Sequence, residues 1–185
     1  TLEPNTPFYH SPPKLPDDDI CAEMQIEIEN LLAKHGYEHY ETSAFSKPSK
    51  QARHNLNYWQ FGDYLGIGAG AHSKLSYHDK ITRETRSKHP KAYMEQALQG
   101  KATESVWNIS DCELGFEFMM NALRLTDGVP VNLFQMRTGL HINTLESSIS
   151  QAQNKNLLEI KNGYIKPTLL GQRFLNELLT LFMTN

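Results

Sequence analysis

The sequence predicts a mixed α/β chain in two parts: βα units of a parallel sheet or partial barrel over residues 1–107, and a winged-helix-like α+β unit with one hairpin over residues 108–185. Three observations carry this. The first 45 residues read as strand end, long loop, helix, strand, which is the repeat of a parallel α/β sheet. The texture then changes at Ser110-Asp111-Cys112-Glu113, a capping box ahead of an apolar run. Beyond that box the order is helices, hairpin, closing helix.

In chain order, Thr1-Leu2-Glu3-Pro4 reads as the end of a strand, entered without an initiator Met, so the chain reads as part of a longer protein. Pro7, Pro12, Pro13 and Pro16 block regular structure over the next stretch. Asp17 to Asp19 supply an N-cap and an acidic first turn. Ile20, Met24, Ile28, Leu31 and Leu32 then recur at helical spacing and Gly36 fits a left-handed C-cap, so residues 18–35 are predicted helical. Tyr37 to Phe45 reads as one strand and Asp63 to Ile67 as a second, running into the glycine run Gly66 to Ala71. Residues 74–107 are polar and less regular, with a helix expected from Pro90 to Gln99.

Beyond Ser110 the apolar spacing predicts a helix through Leu125, then a helix from Val131 to Thr138 that stops at Gly139. Asn143 with Glu146 is expected to cap a third, reaching Asn154. Leu157 to Lys161, Asn162-Gly163 and Tyr164 to Lys166 spell a hairpin with a type I′ turn. A single closing helix from Thr168 carries Leu170, Phe174, Leu175, Leu178, Leu179 and Phe182.

Composition narrows the classes of function. No stretch approaches the roughly 20 apolar residues of a membrane span and no signal core is visible, so a soluble cytoplasmic protein without a transmembrane segment is expected. The formal net charge is −3, and residues 108–185 hold six basic against seven acidic side chains. The third helix of that part has no basic residue. Phosphate neutralisation dominates DNA affinity, so no nucleic-acid partner is expected. Cys21 and Cys112 lie too far apart for a disulfide framework or a metal motif and read as reduced, partly buried thiols.

The chemistry concentrates between Arg53 and Tyr64. His54, Asn55, Asn57, Tyr58, Trp59, Phe61 and Tyr64 offer an imidazole, amides and flat aromatic faces, a set suited to a planar ligand. The same residues also suit a loop docked on the core, with Trp59 as its anchor. Gly66, Gly68 and Gly70 let backbone approach a ligand closely, or simply make a tight strand exit. Glu3 and Glu41 are candidates to meet at the rim of a barrel, or to pair with Arg53. The remaining histidines lack metal-ligand spacing.

His54-Asn55-Leu56-Asn57-Tyr58-Trp59, followed by Gly62-Asp63-Tyr64-Leu65-Gly66-Ile67-Gly68-Ala69-Gly70-Ala71-His72-Ser73, resembles the signature of the oxygen-independent coproporphyrinogen III oxidase-like radical S-adenosylmethionine (SAM) family. Thr1 to Thr6, Tyr40 to Phe45 and Phe116 to Leu125 are similar to further blocks of that family in the same order. The His-Asn-x-x-Tyr-Trp motif resembles its haem chaperone branch. The resemblance implies a partial radical SAM barrel with a [4Fe–4S] cluster on a Cys-x3-Cys-x2-Cys motif and SAM on the unique iron. This chain has no such motif, so no metal ligand is expected in it and alone it should be catalytically inert. By the same likeness Leu2, Gly68, Gly70, Ala71 and His72 are candidate SAM contacts, and His54, Asn55, Tyr58 and Trp59 candidate haem or porphyrin contacts. The implied activity is transfer of haem to recipient apo-proteins. Oxidative decarboxylation of coproporphyrinogen III is the alternative, and a winged-helix interaction module with no small-molecule site is an alternative of another class.

Overall fold

The computed structural model describes residues 3–183 and is a mixed α/β chain. A short turn of helix, α1 (Pro7–His10), is capped by Thr6, whose hydroxyl accepts the Tyr9 amide. The long helix α2 (Asp18–Lys34) starts where Asp17 accepts the Ile20 amide and stops before Gly36, at φ 73°. Ile20, Met24, Ile28 and Leu31 form its apolar stripe, yet α2 buries none of its residues.

Tyr37 to Phe45 is not one strand. It is a tight hairpin of β1 (Glu38–Glu41) and β2 (Ala44–Ser46), in which His39 stacks on Phe45 at 4.4 Å. Thr42 and Ser43, two small hydroxyl residues, take the turn. The motif-bearing segment is likewise a helix, α3 (Arg53–Trp59), which lacks a side-chain N-cap bond, so no local signal marks its start. The strand expected over Asp63 to Ile67 reduces to one bridge, Tyr64 opposite Lys74.

The stretch expected to be less regular, residues 74–107, lies within a three-stranded sheet, β3 (His72–Ser76), β4 (Ile81–Arg86) and β5 (Thr103–Asn108), in the order β3-β4-β5, and the helix expected from Pro90 is α4 (Pro90–Ala97), before β5. Charged residues on both faces of these strands hide the alternation. All strand pairings among the described residues are antiparallel, so the parallel ladder expected of βα units is not among them.

The C-terminal part follows its sequence signals more closely. The Ser110 and Glu113 capping box opens α5 (Asp111–Ala122). A short strand β6 (Val129–Pro130) precedes α6 (Val131–Thr138), which Gly139 closes at φ 76°. His141, not Asn143, then caps a 3-10 turn over Ile142–Leu145 by accepting the Asn143 amide, and α7 (Glu146–Asn154) continues from it. Strands β7 (Leu158–Lys161) and β8 (Tyr164–Pro167) flank Asn162 and Gly163, both at positive φ as a type I′ turn demands, and the sheet order is β6-β8-β7. The closing helix is two, α8 (Leu169–Arg173) and α9 (Leu175–Thr180), broken at Phe174 with φ −113° and ψ 45°.

Most of the core lies after residue 108: Leu114, Phe118, Met119, Ala122, Phe134, Ile165 and Leu178 are fully or almost fully buried. Phe118 is its hub, meeting Phe134 edge-on at 5.2 Å and Phe61 at 5.7 Å. Through Phe61, α3 and the loop after it are seated on α5. Both cysteines are exposed, contrary to the partly buried state expected, because Cys21 lies on α2 and Cys112 on the outer first turn of α5.

Candidate functional site

Helical spacing splits the motif across two faces of α3, since residues four apart share a face and neighbours do not. His54 and Tyr58 occupy one face. The His54 ring is exposed, meets Tyr58 edge-on at 4.6 Å, and has no hydrogen-bond partner among the described residues. Tyr58 in turn meets Tyr64 edge-on at 4.5 Å. Asn55 and Trp59 turn to the other face: the Asn55 amide donates to the Tyr40 hydroxyl at 3.2 Å. Trp59 packs against the core, with the Arg124 guanidinium 4.2 Å from its ring centre. Of the four residues expected to contact a planar ligand, two therefore face out and two anchor the helix. The Tyr58 and Trp59 rings lie 6.4 Å apart at a tilt of 55°, and the Arg124 guanidinium covers one face of Trp59.

The anchor face is polar as well as apolar. Glu41, 2% exposed, accepts from Arg124 at 3.3 Å, so its partner is not Arg53. The buried Trp59 Nε1 and Arg124 Nε lack partners among the described residues. Glu3 is exposed, and its carbonyl accepts from the Thr6 hydroxyl at 2.7 Å.

The glycine run is held by two sets of bonds. At its base, Lys74 is almost wholly buried and donates to the Phe61 carbonyl at 3.1 Å, to Asp63 at 3.0 Å and to Ser76 at 3.1 Å, while sitting 4.1 Å above the Phe61 ring. Burial pushes the Lys74 ammonium below its ordinary range, aided by Arg83 and Arg137, and the Asp63 carboxylate opposes this. Burial raises Asp63, but the Ser76 hydroxyl and amide and the Lys74 ammonium outweigh it and hold the carboxyl below its ordinary value. Along the run, Gly66 lies so close to β3 that a β-carbon would sit 2.2 Å from the His72 carbonyl oxygen. Gly68 and Gly70 face open space and are required instead for their φ of 111° and 70°.

The run's amides are largely committed to the protein itself. Gly68 N–H donates to the Tyr93 hydroxyl at 3.1 Å, Gly70 N–H to the Ser87 carbonyl at 2.9 Å and Ala71 N–H to the Gly68 carbonyl at 3.3 Å. His72 is exposed at the start of β3. Leu2 lies outside the described residues. The run offers a ligand carbonyls, bare backbone and the exposed Leu65 and Ile67, not a nest of free amides.

The two patches join through Tyr64. Its ring supports Tyr58, its backbone bridges Lys74, and its hydroxyl accepts from Arg83 at 2.6 Å, while the same guanidinium pairs with Glu117 of α5. Sequence reasoning named Tyr64 but missed Lys74, Tyr93, Arg83 and Arg124 as parts of this assembly. The alternating Thr82, Glu84 and Arg86 against Ile81, Arg83 and Thr85 is a weak strand signal that could have brought Arg83 and Lys74 together. No helix among the described residues is long and apolar enough to cross a membrane, and no group of three potential metal ligands occurs among them.

Comparison with known proteins places this geometry in a family. Residues 109–174 match the model of the HemN C-terminal domain. The whole chain is 44% identical to the heme chaperone HemW of Haemophilus influenzae, covering 47% of that protein. Over 99% of the chain it is 42% identical to the heme chaperone HemW of Escherichia coli, covering 48% of it. The chain thus spans about half the length of the curated relatives it matches. Its fold superimposes on coproporphyrinogen III oxidase (HemN) from Escherichia coli, described as a radical SAM enzyme, with a TM-score of 0.65 and 16% identity over 92% of this chain and 42% of that one. Along its whole length the chain is thus similar to proteins named heme chaperone HemW, and residues 109–174 match the HemN C-terminal domain.

Proposed function

We propose that this chain is the haem-holding, C-terminal part of a radical SAM haem chaperone that passes haem to apo-proteins. The observation that carries it is His54: an exposed imidazole without a hydrogen-bond partner among the described residues, one helical turn from Tyr58, in a chain 42–44% identical along its whole length to two proteins named heme chaperone. A neutral imidazole is a haem-iron ligand. When bound, haem would supply an iron that the His54 imidazole could ligate. The chain's own part is to present the His54 ring, to fix its tilt through the Tyr58 edge contact, and to hold α3 still through Asn55, Trp59 and Arg124. Presentation on an open face, not in a closed pocket, suits a carrier that must release its cargo.

In the same proposal SAM lies against the glycine run, touching Gly68, Gly70, Ala71 and His72 through carbonyls and bare backbone. The cluster is a different matter. Cys21 and Cys112 are two separate exposed thiols and cannot supply three closely spaced thiolates, so ligation of a [4Fe–4S] cluster falls to residues other than these. Residues 108–185 are read as a winged-helix-like lid or docking unit without nucleic-acid affinity, on their acidic balance.

Haem titration of His54→Ala and Trp59→Ala tests the assignment. His54→Ala should weaken haem binding and shift the Soret band with stability changed by less than about 0.5 kcal/mol, as for an exposed site. Trp59→Ala should lower stability by several kcal/mol and affect haem only through it. An unchanged spectrum and affinity in His54→Ala sinks the proposal.

A further inference from the structure

An exposed ligand is only as well aimed as whatever holds it. His54 is the second residue of α3, a seven-residue helix that starts without a side-chain cap, and helix ends fray. The outer torsion of a histidine side chain is broad and two-fold, so the backbone does not select a ring plane either. Among the described residues the one aromatic neighbour of the His54 ring is Tyr58, edge-on at 4.6 Å with the planes at 79°. The aim of His54 therefore depends on what fixes Tyr58.

Tyr64 does so. The two phenol rings meet at 4.5 Å and 82°, so Tyr58 stands between His54 and Tyr64 at nearly a right angle to both. Edge-to-face contacts hold an angle as well as a distance, because the negative face of one ring attracts the positive edge of the other. Tyr64 itself is tied at both ends. Its backbone exchanges two hydrogen bonds of 3.0 Å with Lys74 of β3, and its hydroxyl accepts from Arg83 Nη1 at 2.6 Å. Arg83 lies opposite Lys74 on β4, the middle strand, and its other terminal nitrogen, Nη2, pairs with Glu117 of α5. A planar guanidinium held at both terminal nitrogens has a fixed orientation, which a single ammonium would not have.

We infer that Tyr64 and Arg83 are positioning residues for the His54 imidazole, which they orient through the Tyr58 ring from a guanidinium anchored on α5. This rests on the reading of His54 as the haem ligand and adds to it the residues that set the tilt of its ring. Neither residue touches His54, and each acts on it only through the next ring in line. The C-terminal part thereby takes a share in haem binding through Glu117. If Arg83 served only to tie β4 to α5, stability would depend on it and the His54 ring would not.

Tyr64→Phe tests this by removing the hydroxyl alone, with the ring edge against Tyr58 and the Arg83–Glu117 pair both kept. In the haem-free chain the His54 ring-proton resonances, assigned by their loss in His54→Ala, should move in Tyr64→Phe, because the Tyr58 ring current they feel changes with tilt. Those of His141, in the C-terminal part, should stay. In haem titration Tyr64→Phe should weaken binding about three- to tenfold and shift the Soret band. Arg83→Lys, whose ammonium can keep Glu117 but not the fork to Tyr64, should do the same, and the double variant should be no worse than either. In a His54→Ala background Tyr64→Phe should change haem affinity no further, which a general loosening of the fold would not spare. Unmoved His54 resonances in Tyr64→Phe, or an undiminished Tyr64→Phe effect on haem once His54 is gone, overturns the proposal. Haem binding indifferent to His54→Ala overturns instead the reading of His54 as ligand, and the ring-proton shift then decides the positioning by itself.

Discussion

Helices α2 and α5 have similar apolar content and opposite fates. Helix α5 buries Leu114, Gly115, Phe118, Met119 and Ala122, whereas α2, five residues longer, buries nothing and leaves Ile20, Met24 and Leu31 about half exposed. An amphipathic pattern thus determines that a helix forms and which face is apolar, but not what that face touches. The difference also separates two kinds of residue. Those on α5 answer for the stability of the fold, and those on α2 for surface.

The largest effect that would break this contrast is at Phe118. Phe118→Ala empties a fully buried ring site between Phe61 and Phe134 and should cost about 3–5 kcal/mol in chemical denaturation. A loss under about 1 kcal/mol would mean the core is not centred there. Next is Gly66→Ala, which drives a β-carbon into the His72 carbonyl and should cost about 1–3 kcal/mol. Gly68→Ala, strained only by its φ, should cost about 1 kcal/mol, and reversal of that order would show the run is not pinned to β3.

Acid provides a third comparison. Asp63 has a depressed folded pKa, so its stabilising share is present above the ordinary value of 3.8 and is lost as pH falls from there through the folded pKa. Asp63→Asn should flatten the melting-temperature profile in that window and lower the melting temperature at neutral pH, where the carboxylate otherwise pairs with the buried Lys74. The smallest effect is at Met24: Met24→Ala should shift stability by less than about 0.5 kcal/mol, and a larger loss would show that its face is covered.

Where the structure obeys the sequence, a local rule sufficed. The Ser110 and Glu113 box, Gly139 at φ 76° and the Asn162-Gly163 turn are each set by residues within four positions of one another. Where it does not, the deciding partner is remote or the signal is silent. Helix α3 begins at Ala52 without a capping side chain, so nothing marks its start. Glu41 and Arg124 are 83 positions apart, and no spacing rule joins them. The sheet β3-β4-β5 is legible only to an eye that accepts Lys74 and Arg83 as interior, which becomes reasonable once Asp63 and Glu117 are seen to receive them. For the candidate site, the motif names residues that share α3, but only the pitch of that helix reveals that His54 and Tyr58 look out while Asn55 and Trp59 look in.

Arg83 binds three positions into one heritable unit. Its guanidinium serves a phenol in the loop and a carboxylate on α5, so a change at residue 83 acts on residues 64 and 117 as well. Loss of the cation alone strands Glu117, which is less than a quarter exposed, and leaves the Tyr64 hydroxyl without its donor. Lineages that replace Arg83 should therefore replace Glu117 in the same step, and Tyr64 should drift toward Phe only in them.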